Sequence, residues 1–244
     1  MSQFEEEWRR RFERFGTRHE SDHLVSGWSL AGLRQRVATF ERLLDAGLVM
    51  RGGRVLELGC AAGTYVRLLG KRGHPVVGLD YSLPSLGRAI HADPGDLGCY
   101  VAGKADALPF PNSAFSVVLC IGVLQAVDES GPILGEISRV LKPGGRALIE
   151  TLNPWSPIAI GRRFSALVRY ERTRLRYESP GRVRRGMLRQ GMRDVRPIGI
   201  VLPPKSLPSL GETLGRAGVQ RALGFTPGAG MVAAQAFWLV GTKA

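Results

Sequence analysis

Glu57, Gly59, Gly63 and Asp80 are the residues whose types and spacing point most directly to chemistry. They fall in two short runs, RVLELGCAAGTY at 54–65 and VVGLDYS at 76–82. In the first, Val55, Leu56 and Leu58 suit a buried strand, and Glu57 interrupts them with a carboxylate. Gly59 and Gly63 then bracket the small residues Cys60, Ala61 and Ala62, so the turn carries little side-chain bulk. A turn of this kind lets the backbone approach a ligand closely. In the second run Asp80 ends a strand 21 residues after Gly59. An acid in that place can accept both hydroxyls of a ribose. Turn and acid together describe a site for an adenosine group.

Such residues need a sheet to hold them. From residue 51 onward the pattern alternates, with strands expected at 53–58, 75–80, 98–102, 115–121 and 145–151 and helices at 63–72, 82–91 and 130–142. Alternating strands and helices predict an α/β fold, a parallel sheet covered on both faces. In open parallel sheets ligands sit outside the carboxyl ends of the strands, where strand order reverses. Lys142-Pro143-Gly144-Gly145 reads as a helix stop and a turn into the next strand. Upstream, Phe4, Trp8, Phe12 and Phe15 predict an amphipathic helix over 3–16, and Leu33, Val37, Phe40, Leu43 and Leu44 a second over 31–47. Between them lies the polar loop HESDHLVSGWSL, carrying His19 and His23. Residues 155–189 are basic and helical in pattern, and VRPIGIVLP and AAQAFWLVGTK read as two closing strands. The expected organisation is a helical cap at 1–50, a core at 51–153, a basic helical insertion at 154–192 and completing strands at 193–244.

The turn also discriminates among adenosine ligands. A dinucleotide site wants G-x-G-x-x-G with helix N–H groups free for a pyrophosphate. Here the spacing is G-x-A-x-G, and Thr64 stands where the last glycine would be. Glu57 would repel phosphate and favour an ammonium or sulfonium cation. S-adenosylmethionine (SAM) has no phosphate and carries both cations.

At this point a family resemblance is visible. VLELGCAAGTY, VVGLDYS, GKADALPFPNSAFSVVLCIGVL, ILGEISRVLKPGGRALIE and FWLVGTKA follow one another as successive motifs. They resemble the class I SAM-dependent methyltransferases, especially the small-molecule branch that includes ubiquinone- and menaquinone-type biosynthetic enzymes. The resemblance implies a Rossmann-like open sheet, mostly parallel with one antiparallel C-terminal strand, under an N-terminal helical cap. It implies that Gly59, Cys60, Ala61 and Gly63 line the methionine portion of SAM, with Glu57 beside its positive charge. Asp80 would bind the ribose and Tyr81 would pack on the adenine, whose amino edge Lys104, Ala105 and Asp106 would border. Cys120 and Ile121 would lie beneath the cofactor. Ala61 replaces the usual middle glycine, Lys104 stands where many relatives have an acid, and Ser116 replaces a common aspartate. Gln125 and Ala126 occupy positions where relatives often carry an acid or a histidine. The proton acceptor is therefore sought in the loop before Trp28, at His23 or His19, with Asp22 beside them. Trp28, Gln125, Arg162 and Arg163 are the candidates for contact with the acceptor substrate.

Composition narrows the partners. The chain of 244 residues carries a net charge of +13, with 29 arginines and 5 lysines, a bias that the abundant Gly and Ala suggest is partly one of coding. Twelve arginines fall between 161 and 196 against Glu171, Glu178 and Asp194, a local excess of +9. Ile160, Phe164, Leu167, Val168 and Leu175 recur there at helical spacing. The stretch reads as a lid over a substrate pocket, favoured here, or as a basic amphipathic helix on an anionic membrane surface. Both hold together if the substrate is a lipid. Nucleic acid is disfavoured, because aromatics are not interleaved through the arginines as a base-stacking surface requires. The NPW at 153–155 follows the fifth strand, not the fourth, and so is not the N-P-P-aromatic signature of amino-methyltransferases acting on nucleic acids. Cys60, Cys99 and Cys120 form no paired or zinc-type spacing and fit a reducing cytoplasm. The N-terminal stretch is charged and lacks an apolar signal core, and nowhere do 18 apolar residues run together. The sequence thus describes a cytoplasmic SAM-dependent methyltransferase for a small acceptor, anionic or lipid-linked, peripheral to the membrane in the lipid case. RNA methylation, or SAM binding without turnover, are its alternatives.

Overall fold

Val55–Leu58 is a four-residue strand with every residue buried, and the sheet is built outward from it. This computed structural model describes residues 2–50, 52–161, 175–201 and 234–244. Strand β1 (Val55–Leu58) pairs in parallel with β2 (Val76–Asp80) on one side and β4 (Phe115–Cys120) on the other. Outside β2 lies β3 (Cys99–Ala102), and outside β4 lies β5 (Leu141–Leu152). The far edge is made by β7 (Ala236–Lys243) and β6 (Met192–Ile200), giving the order β3-β2-β1-β4-β5-β7-β6. β7 runs antiparallel to both of its neighbours. The chain leaves β1 toward β2 and returns across it to β4, so strand order reverses between β1 and β4. The ends of these two strands therefore open on one crevice.

Alternate residues of a strand point to opposite faces. Leu56 and Leu58 join a core with Ile133 and Ile137 of α6 (Gly131–Val140) and Val183 and Met187 of α7 (Pro180–Arg189). Val55 joins the other face with Phe40 of α3 (Leu30–Asp45) and Tyr65, Val66 and Leu69 of α4 (Thr64–Lys71). By the same alternation Glu57 shares the face of Val55, and Glu150 on β5 shares that of Leu148.

The N-terminal segment begins with α1 (Gln3–Arg18), where Ser2 and Glu5 make a capping box. Its aromatic stripe stacks on itself, with Trp8 and Phe12 centroids 5.3 Å apart. α1 lies on α5 (Leu83–His91), and a Cβ at Gly16 would sit 2.6 Å from the Ser85 amide nitrogen. Arg88 of α5 donates to the carbonyls of Gly16 and Thr17 at 3.0 and 3.2 Å, which satisfies orphan acceptors at the end of α1.

Four sequence readings change here. The loop at 19–30 contains a short helix, α2 (Asp22–Val25). The expected turn at Lys142–Gly145 is a bulge within β5: Leu141 faces Phe115, Arg146 faces Val117, and the register slips between them. Pro143 has no N–H to give the ladder, and Gly144 takes a positive φ of 73°, so the extra residues arch out of the pairing. Third, the reading of 155–189 as one helical stretch breaks at 175–179, which is not helical and precedes α7. β6 also starts and stops about three residues earlier than VRPIGIVLP suggests. Residues 162–174 of the basic stretch, with Arg162 and Arg163, lie outside the described residues. Among the described residues no helix is long and apolar enough to cross a membrane.

Candidate active site

The turn leaving β1 takes the left-handed backbone conformation three times, at Gly59 (φ 69°), Ala61 (φ 47°) and Gly63 (φ 75°). Gly59 is required twice over, because a Cβ there would also lie 2.6 Å from Cγ2 of Val123. Ala61 pays a steric cost in this region, and its N–H is held by Asp80 Oδ2 at 2.9 Å. Gly59 and Cys60 both donate to the Leu79 carbonyl, at 2.7 and 3.1 Å, which locks the turn to the end of β2. α4 then opens on Gly63 with no side-chain cap, so no capping side chain satisfies its first N–H groups.

Two buried carboxylates flank this turn. Asp80 accepts from Ala61 N–H through Oδ2 and from Ser82 N–H through Oδ1, at 2.8 Å. Burial raises its pKa, and the backbone donors Ser82, Ala61 and Tyr81 oppose the rise. Each oxygen keeps a lone pair for a further donor. Glu57 is 3 % exposed, and its Oε2 has no hydrogen-bond partner. Its pKa stands well above the usual carboxylate range, chiefly through burial, with Asp80 and Asp22 adding to the rise and the Val66 backbone and Arg67 opposing it. A buried carboxyl with one unpartnered oxygen, beside a turn of small residues, is what a cationic group would complement.

The remaining sequence candidates surround these two. Tyr81 is half-buried against Phe12 of α1, with ring centroids 6.4 Å apart. Gly103 donates to the Asp80 carbonyl at 3.0 Å, which brings the Lys104–Asp106 segment alongside β2. Lys104 and Asp106 are exposed there, and Ala105 is half-buried. Cys120 and Ile121 are buried at the end of β4, and burial, with Glu150 adding, pushes the Cys120 thiol up to about 12. Gln125 lies in a short 3-10 turn (Leu124–Ala126), and its carbonyl accepts from Arg176 N–H at 3.1 Å. Trp28 lies over Gly122, where a Cβ would fall 2.7 Å from Trp28 Cζ2. The structure thus brings Trp28 and the end of β4 together. His23 sits within α2, and its carbonyl accepts the Trp28 N–H at 2.7 Å. His19 caps the end of α1, with its ring tilted against Phe15 at 5.9 Å.

Sequence reasoning named Asp22 only as a neighbour of the histidines, and it missed Thr64, Arg67, Arg36 and Glu150, which fasten the loop and the wall. Asp22 Oδ2 accepts from Thr64 Oγ1 at 2.6 Å and pairs with Arg67. Arg36 of α3 holds Glu150, and its guanidinium carbon lies 4.4 Å from the centroid of the Trp28 ring. Glu150 interrupts the buried run ALIET as Glu57 interrupts VLEL, and that shared signal could have found it.

Residues 56–149 match the family described as "Methyltransferase domain". This stretch is a class I methyltransferase domain. SAM is the methyl donor of that family. The chain is 34% identical over 127 residues to a ubiquinone biosynthesis O-methyltransferase of Bradyrhizobium sp., covering 50% of this chain and 49% of the relative. It is 36% identical over 113 residues to a ubiquinone/menaquinone biosynthesis C-methyltransferase of Photorhabdus laumondii, covering 43% and 45%. The chain therefore spans about half the length of the curated relatives it matches. In fold it is similar to a SAM-dependent methyltransferase from Thermotoga maritima, at a TM-score of 0.65 and 18% identity over 97% of this chain and 99% of that one. The methyltransferase domain's own residues fit the donor. Glu57 has an orphaned buried oxygen, the turn is stripped to its backbone, and Asp80 keeps acceptor capacity.

Proposed function

We propose that this chain transfers a methyl group from SAM to a small-molecule acceptor, anionic or lipid-linked. The observation that carries the reading is the left-handed turn at Gly59, Ala61 and Gly63 set between two buried carboxylates, Glu57 and Asp80. On this reading Gly59, Cys60, Ala61 and Gly63 hold the methionine end, and Glu57 complements its cations. Asp80 takes the ribose, Tyr81 the adenine, and the Lys104–Asp106 segment the adenine amino edge, with Cys120 and Ile121 as the floor. SAM, when bound, supplies a methyl group that is already strongly electrophilic. The protein's work is then alignment and exclusion of water. Residues 1–50 act as a cap over the crevice, Trp28 and Gln125 contact the acceptor, and Arg162 and Arg163 are the basic candidates for binding it where it is anionic. His23, with His19 as the alternative, receives a proton where the acceptor must lose one. The enzyme works in the cytoplasm, at an anionic membrane surface when the acceptor is lipid-linked.

Transfer of labelled methyl from SAM into fractionated cell extract tests the reading. Label recovered in small molecules supports it. Label in RNA, or none anywhere, overturns it.

A further inference from the structure

Arg67 touches two things at once. One guanidinium nitrogen, Nη1, donates to the carbonyl of Ala62, inside the turn that leaves β1. The other, Nη2, pairs with Asp22 Oδ2 at 2.5 Å, in the loop ahead of Trp28. Thr64 adds a third point, donating to the same Asp22 oxygen at 2.6 Å. The pair is mostly shielded, with side chains 17% and 26% exposed, so solvent screens it less than a free surface pair.

The loop that Asp22 begins is tied together as one unit by its own backbone hydrogen bonds. Ser26 donates to the Asp22 carbonyl at 3.0 Å, Gly27 to Leu24 at 3.0 Å, and Trp28 to His23 at 2.7 Å. Val25 is fully buried, and a Cβ at Gly27 would lie 2.9 Å from Phe15 Cε2. A carboxylate gripped at one end of this unit therefore fixes the place of Trp28 at the other.

We propose that Asp22 and Arg67 form a latch that holds the Asp22–Trp28 loop over the cofactor turn and so sets how long SAM is retained. The inference rests on reading that turn as the SAM site. Because Arg67 bonds to both the turn and the loop, whatever orders the turn also orders the loop, and the reverse holds by linkage. Asp22 and Arg67 are positioning residues, acting through backbone they hold.

The test is a double-mutant cycle on the full chain, with Asp22→Ala, Arg67→Met and the two combined. Stopped-flow displacement of labelled SAM gives its dissociation rate, and amide exchange at 22–28 is followed in the free protein. Each single change is expected to speed SAM release about tenfold, the scale of one lost charge-assisted contact. The combined variant should release SAM no faster than the faster single one, because either change alone opens the latch. Arg67→Met changes no residue of α2, so a matching effect separates the latch from any local effect of replacing Asp22 within that helix. Unchanged release in the single variants, or effects that multiply to about hundredfold in the double, would overturn the latch. If the wild type binds no SAM, the reading of the turn falls instead. Amide exchange in the free protein then decides the latch alone, with faster exchange at 22–28 expected in both single variants and unchanged exchange sinking it.

Discussion

Arg36 Nε lies 2.7 Å from Glu150 Oε1, with both side chains almost wholly buried between α3 and the sheet. Trp238 Nε1 donates to the same Glu150 oxygen at 3.3 Å. The Arg36 guanidinium in turn stacks on Trp28, which covers Gly122 at the end of β4. A side chain of the central sheet thus supports Trp28, against Gly122 just past the end of β4, through one buried arginine.

Removing half of a buried pair leaves an uncompensated charge, which typically costs about 3–5 kcal/mol. Glu150→Ala should destabilise the chain on that scale in urea unfolding. The paired replacement Arg36→Met with Glu150→Leu should cost far less, since two well-packed apolar side chains can match a buried ion pair. If the double variant is as unstable as the single, the loss lies in packing and not in the stranded charge.

Glu57 gives the free protein a pH signature. Its folded pKa is raised above the ordinary glutamate value of 4.5, mainly by burial. As pH climbs from that value through the folded pKa, the folded chain keeps a proton that the unfolded chain has lost, so stability falls. Glu57→Gln removes this slope. The variant's stability advantage over wild type should therefore grow with pH across that window and level off above it. Glu136, whose pKa is lowered by its hydrogen bonds from Arg139, has the opposite sign but is common to both proteins. Urea midpoints at a series of pH values check the difference, and a constant gap would refute the assignment.

Gly59→Ala meets two obstacles, a φ of 69° and Val123 Cγ2 at 2.6 Å. The left-handed conformation alone costs about 1–2 kcal/mol for a residue with a Cβ. We expect lower stability and weaker SAM binding, with Val123→Ala in the same chain restoring part of both. Equal affinity in Gly59→Ala and wild type would show that the turn does not touch the cofactor.

His23→Ala should lower turnover by about 10²–10⁴-fold, the usual contribution of a general base, while SAM affinity changes little. A pH–rate profile must lose its acidic limb in the variant. A slow variant with an unchanged profile would mean that His23 only shapes the pocket. A variant as fast as wild type would mean that the acceptor arrives without a proton to lose.

The parts legible in the sequence are those encoded by neighbours. Glu57 stands out because it breaks an apolar strand, and Asp80 because it ends the next one. The helices at 3–18 and 30–45 show because Phe4, Trp8, Phe12 and Phe15, then Leu33, Val37, Phe40 and Leu44, repeat at helical spacing. The pairs that fasten the site were not legible, because Asp22 and Arg67 lie 45 residues apart and Arg36 and Glu150 lie 114 apart. Nothing local in either sequence stretch names its partner. The bulge at Lys142–Gly145 was misread for a related reason. A Pro-Gly-Gly run looks like a turn by itself, and only the pairing of Leu141 with Phe115 keeps it in the strand.

The central claim is that the turn after β1 and Asp80 bind SAM, and calorimetric titration tests it most directly. SAM and NAD are titrated separately into the wild type, and SAM into Asp80→Ala. Asp80 would lose charge-assisted hydrogen bonds worth about 1.5–3 kcal/mol each. We expect the wild type to bind SAM and to prefer it to NAD, and the variant to remain folded with SAM affinity lowered at least about tenfold. Unchanged SAM affinity in Asp80→Ala, or tighter binding of NAD than of SAM by the wild type, would contradict the claim.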